Sequence, residues 1–108
     1  MSAPSSAEVE SAIARLSSTK SVRGVLVLNA QGILIRHAGE IFDLADPSEV
    51  ISKYVNAALK LVAASKDAVG GLDIGDVPRF LRVRTRKWEI MITPDEKYTL
   101  VVVQDPSK

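Results

Sequence analysis

Apolar residues recur along this chain with two different periods, and the switches between them outline its elements. Val9, Ile13 and Leu16 follow at i, i+4 and i+7, the narrow stripe of an amphipathic helix. Ser5 and Glu8 stand at capping-box spacing, so this helix is expected to begin near Ser5 and to dissolve in Ser17-Ser18-Thr19. Residues 1–4 have nothing to bury and are expected to be disordered. Val22–Asn29 is β-branched and almost wholly apolar, the pattern of a strand covered on both faces. Asn29-Ala30-Gln31-Gly32 reads as a turn, with Gly32 at the positive φ that a three-residue hairpin with a bulge requires. Ile33–His37 returns as a second strand, and residues 38–45 read as a loop.

Asp46-Pro47-Ser48-Glu49 is a helix start, with a capping Asp, Pro at the first position and Glu three residues after the cap. The helix is expected to run to about Val69 and to stop at Gly70-Gly71. Ser52, Lys53, Asn56, Lys60 and Asp67 gather in one polar arc. The apolar remainder is wider than the ~100° stripe that docking on one sheet needs. One half carries Ile51, Val55, Ala58, Val62 and Val69, and the other Val50, Tyr54, Ala57, Leu61 and Ala68. The second half is either an extension of the core-facing stripe or a surface for a partner, most economically the same helix of a second copy. Val50, Tyr54, Ala57 and Leu61 are the expected contact residues.

Leu72–Arg79 reads as a loop, and Phe80–Thr85, Trp88–Thr93 and Tyr98–Gln104 as a meander of strands. A two-residue turn at Arg86-Lys87 pairs Val83 with Ile90 and Leu81 with Ile92 on one face. On the other face Arg84 meets Glu89 and Arg82 meets Met91. A four-residue loop at Pro94–Lys97 puts Val101 and Val103 on the apolar face with Trp88, and Leu100 and Val102 with Met91. The long helix is expected to cover the apolar face, and the short helix only part of the mixed one. The element order is α-β-β-α-β-β-β.

At 108 residues the chain is read as one domain, residues 5–106, with a single core. Fourteen basic and 13 acidic side chains leave a formal net charge of +1, which gives no broad field for nucleic acid or anionic membrane. Cysteine is absent, so disulfide and thiolate chemistry are excluded. No apolar run approaches the ~20 residues that span a bilayer, and the polar N-terminus lacks the pattern of a signal peptide. A soluble cytosolic protein is expected.

Candidate chemistry is sparse. His37 is the single histidine, without a carboxylate cluster at metal spacing. No Ser stands in a nucleophile elbow, and Gly70-Gly71 lacks the lysine of a phosphate loop. No catalytic residue, metal or cofactor is expected. The one basic concentration is Arg82, Arg84, Arg86 and Lys87. It reads either as a solvated strand whose charges discourage aggregation or as a docking site for an acidic or amphipathic segment. Nucleic acid fits poorly, since only Phe80 and Tyr98 could stack there.

Residues 80–106 resemble the roadblock-type dynein light chains. The matching residues are Leu81-Arg82-Val83-Arg84, the basic Arg86-Lys87 turn, Glu89-Ile90-Met91, Pro94-Asp95 and Val101-Val102-Val103-Gln104-Asp105-Pro106. Val9, Leu16, Val22-Arg23-Gly24-Val25, Asn29 and Gly32 extend the resemblance toward the N-terminus, while Trp88 departs from the family's small polar residue. The resemblance implies an α+β fold with a five-stranded antiparallel sheet between helix layers. It implies a dimer joined through the second helix and the edge strand at Phe80, Leu81, Arg82, Val83 and Arg84, making one ten-stranded sheet. The dimer is a homodimer or a heterodimer with a paralogous light chain.

The resemblance also implies a non-catalytic subunit that binds the dynein intermediate chain, cytoplasmic and cytoskeleton-associated or in the axoneme of a cilium or flagellum. The expected partner-binding face is Arg82, Arg84, Glu89, Met91, Leu100 and Val102. The alternative function for this fold is a scaffold or regulator of a small GTPase. The Gln104-Asp105-Pro106 ending favours the dynein reading.

Overall fold

The apolar continuity of Val22–Asn29 (β1) places it inside the sheet, where Val25, Leu26 and Leu28 are fully enclosed. The structure, a computed structural model, describes residues 6–106. Ser5, the expected cap, and residues 1–4 lie outside the described residues. The other elements are α1 (Ser6–Ser17), β2 (Leu34–Ala38), a 3-10 turn (Glu40–Phe42), α2 (Ser48–Leu72), β3 (Leu81–Arg84), β4 (Glu89–Pro94) and β5 (Tyr98–Gln104). They form a five-stranded antiparallel sheet in the order β2-β1-β5-β4-β3, so β2 and β3 are its edges.

The β1–β2 turn forms as its residues require. Gly32 has φ +80°, and the Asn29 side-chain oxygen accepts from the backbone N–H groups of Gln31 and Ile33 at 2.9 and 3.0 Å. A bulge follows, since Val27 pairs with Arg36 but Leu28 with Leu34. It turns the consecutive residues Ile35 and Arg36 to the same side. There Ile35 joins the α1 cluster and Arg36 pairs with Glu10.

The β3–β4 pairs are Leu81 with Ile92, Arg82 with Met91, Val83 with Ile90 and Arg84 with Glu89, as the two-residue Arg86-Lys87 turn requires. Thr85 closes that turn, its N–H donating to the Trp88 carbonyl and its hydroxyl accepting from the Trp88 N–H, each at 2.8 Å. The β4–β5 loop is shorter than expected. Asp95 N–H donates to the Tyr98 carbonyl at 3.0 Å, which leaves Glu96-Lys97 as the loop and pairs Ile92 with Val101. The strand slides by two residues relative to the four-residue loop, and an even slip keeps every side chain on its expected face.

Two cores result. Beneath α2 lie Leu26, Ile92 and Val101 of the sheet with Phe42 of the 3-10 turn and Ile51, Ala58 and Val62 of the helix. Beneath α1, Ile13 packs on Val25 and Val27, with Val9, Leu16, Ile35, Tyr98 and Leu100 around them. Each fully buried branched side chain contributes about 2 kcal/mol relative to an exposed one. The 3-10 turn is not evident in the sequence of residues 38–45. Phe42 folds back beneath α2 because Gly39 and Gly24 let the two backbones touch.

Asp46 caps α2, accepting from the Ser48 N–H at 3.2 Å and the Ser48 hydroxyl at 2.7 Å. These bonds favour the ionised carboxylate and lower its pKa. The helix does not stop at Gly70-Gly71. It runs to Leu72 and ends where Asp73 becomes extended, at φ −152°. Glycine permits a helix stop without forcing one, and the positive φ falls on Gly75. A Cβ at Gly70 or Gly71 would meet nothing within 4 Å. Gly70→Ala and Gly71→Ala should therefore each stabilise the protein by about 0.5–1 kcal/mol, read as a higher urea midpoint at unchanged slope.

Candidate subunit and partner interfaces

Among the described residues strand β3 pairs only with β4, so its outer row of backbone N–H and C=O groups is open to a further strand. Leu81 and Val83 are half-buried on the α2 side, and Arg82 and Arg84 are exposed on the other. Phe80 precedes the strand instead of belonging to it. It is 54% exposed and follows Leu72, Ile74 and Val77, which are 87%, 96% and 53% exposed. This apolar connection from α2 to the open edge was missed in the sequence, where Gly, Asp and Pro mark it only as a loop. Its signal is the recurrence of large apolar residues within that loop.

On α2 the expected outer half-face proves narrower. Ala57 is exposed, but Val50, Tyr54 and Leu61 rest partly on the core of their own chain. The inserted Phe42 widens the surface beneath the helix, and its ring meets Tyr54 edge-on at 5.6 Å. Burial raises the Tyr54 pKa, while the Trp88 indole N–H facing the hydroxyl acts in the opposite sense. Trp88 therefore lies on the α2 side, as the strand alternation requires, with the Lys87 ammonium 5.3 Å above its ring.

The mixed face is corrected in three places. Leu100 packs in the cluster under α1, because β5 lies beside β1. Val102, opposite Val25, is 6% exposed, so neither residue forms an open apolar centre. Met91 is half-buried and remains accessible beyond the reach of α1. Glu89 is 1% exposed rather than a surface flank, and its carboxylate pairs with Arg82 instead of the directly opposite Arg84. Sheet twist brings the diagonal neighbour closer, and Arg84 donates to the adjacent Thr85 carbonyl.

At the same end of the sheet Arg23 ties three segments. Its Nε donates to both Asp105 carboxylate oxygens at 3.2 and 3.1 Å, and its Nη2 donates to Asp105 at 2.8 Å. Its Nη1 pairs with Glu40. The two carboxylates raise the Arg23 pKa, the Asp105 hydrogen bonds most. Among the described residues no three His, Asp or Glu converge on a metal position. A groove between α1 and β2, lined by Val9, Glu10, Ile35, Arg36 and Tyr98, holds about 90 Å³, below the ~300 Å³ of small-molecule sites. No helix among the described residues is long and apolar enough to cross a membrane.

The family model of the Roadblock/LC7 domain matches residues 8–105. Among solved structures, Myxococcus xanthus MglB aligns with a TM-score of 0.68 at 19% identity, over 94% of this chain and 79% of that one. A Roadblock/LC7 domain from Streptomyces avermitilis aligns with a TM-score of 0.67 at 16% identity, over 86% and 74%. MglB in a tetrameric arrangement aligns with a TM-score of 0.64 at 18% identity, over 92% and 69%. At these identities the likeness is one of fold.

Proposed function

Because the chain belongs to the Roadblock/LC7 domain family, we propose that it is a non-catalytic, dimeric interaction subunit of a dynein motor complex that holds the intermediate chain. The open β3 edge is the observation that carries the dimer. The unpaired strand groups, exposed Ala57 and the exposed apolar residues from Leu72 to Phe80 are each surface that a second copy could cover. The motor reading is supported by the residue-by-residue resemblance over 80–106. It places the protein in the cytoplasm with the cytoskeleton, or in an axoneme, as a homodimer or paired with a paralogue. A second reading is a scaffold or regulator of a small GTPase. The solved structures named above share the fold that both readings use.

Met91 is a half-buried apolar residue on the sheet face that bears Arg82, outside the cluster under α1. An amphipathic helix could place its stripe there. Met91→Asp should cost about 2 kcal/mol or more of intermediate-chain affinity while the dimer persists. Calorimetric titration with purified intermediate chain, paired with sedimentation, checks both. Wild-type protein that binds a purified small GTPase and ignores the intermediate chain would reverse the order of the two readings.

A further inference from the structure

The β3–β4 hairpin holds four cations within six residues, Arg82, Arg84, Arg86 and Lys87, in a chain whose net charge is only +1. The carboxylates at this end of the sheet are committed elsewhere. Asp105 and Glu40 close on Arg23, and the buried Glu89 holds Arg82. Arg84, Arg86 and Lys87 form no ion pair among the described residues. All three are exposed. Arg84 gives one N–H to the Thr85 carbonyl, and its guanidinium has further donors. Lys87 lies over Trp88, which keeps its ammonium at the surface.

We infer that Arg84, Arg86 and Lys87 are the docking contact for an acidic segment of a protein partner, and that Glu89 withdraws Arg82 from that contact by keeping it as its own counter-ion. The inference rests on the interaction-subunit reading and deepens it. Two arginines that the sequence presents as equivalent thereby acquire different tasks. A partner carboxylate at Arg82 would meet a guanidinium whose charge the buried Glu89 already balances, and drawing Arg82 away would strand that buried charge, which is costly. A carboxylate at Arg84, Arg86 or Lys87 displaces only water and salt. Such open charges set orientation and association rate and weaken with ionic strength. Nucleic acid is the poorer occupant, because Trp88 is half-buried beneath Lys87 and turned toward Tyr54, so it offers no free ring for stacking.

The test uses the full chain with three probes: purified dynein intermediate chain, a synthetic amphipathic peptide of alternating Leu and Glu blocks, and oligo-dT. Binding is followed by fluorescence anisotropy at low and high salt, beside thermal unfolding of every variant. Arg84→Glu and the double variant Arg86→Glu/Lys87→Glu should weaken the acidic probes by about tenfold at low salt and flatten the salt dependence, the unfolding temperature holding in the double variant and falling in Arg84→Glu, whose new carboxylate faces Glu89 across the strand pair. Arg84→Lys should restore most of the affinity. Arg82→Gln should lower the unfolding temperature yet leave the affinity of the folded protein near wild type. Failure of the intermediate chain alone overturns the motor reading and leaves the peptide to decide the docking contact. Wild-type affinity in Arg84→Glu, loss of affinity without loss of stability in Arg82→Gln, binding of neither acidic probe, or preference for oligo-dT would each overturn the inference.

Discussion

Gly39→Ala should destabilise the fold by at least about 3 kcal/mol, a large share of the 5–15 kcal/mol that holds a domain together. Two independent penalties meet at this position. Gly39 has φ 104° and ψ 158°, a backbone region that glycine alone occupies without strain. A Cβ there would also lie 2.5 Å from the Arg23 carbonyl oxygen and 2.6 Å from the Gly24 Cα. Both obstacles are backbone of β1, so neither can swing aside. Relief would require the 3-10 turn to lift, which would pull Phe42 from beneath α2 and break the Arg23–Glu40 pair. Gly75→Ala is the matched control, at φ +92° with nothing within 4 Å of the added atom. It should cost about 1–2 kcal/mol, the backbone strain alone. Urea unfolding of the two variants separates strain from overlap, and equal losses would show that the approach of Gly39 to β1 is not a constraint.

Ala57→Glu should weaken self-association at least a hundredfold while leaving the monomer folded. The substitution sets an unpaired carboxylate into the proposed α2 contact of both copies, and stranding a charge in an interface costs about 3–5 kcal/mol. Ala57 suits this test better than its neighbours because it is exposed, whereas Leu61, Val50 and Tyr54 also support the core of their own chain. Leu61→Glu would confound dissociation with unfolding. Sedimentation velocity over a concentration series, with circular dichroism of the same samples, reads both quantities. A variant that associates like wild type would move the subunit contact away from α2.

Much of the molecule was legible in local pattern. Strands β1 and β5, the β3–β4 register and the sharing of residues between the two sheet faces follow from side-chain period and turn chemistry, which act over a few residues. The face assignment survived an incorrect loop length because only an odd slip exchanges faces. The family was legible as well, from a run of residues over 80–106, all but the last of which the family match contains.

What the sequence by itself determined is therefore the element order, the sheet faces, the basic hairpin and the family. The tertiary structure alone decided the partners of those residues. Glu89 bonds to Arg82 rather than Arg84 through the twist between strands. Val102 is buried and Leu100 packs half-buried under α1, because β5 sits next to the strand that α1 covers. Phe42 lies beneath α2 because two glycines distant in sequence let backbones approach, and in doing so it narrows the free face of that helix. Period and propensity act along the chain, whereas burial and ion pairing depend on residues that meet only after the sheet has closed.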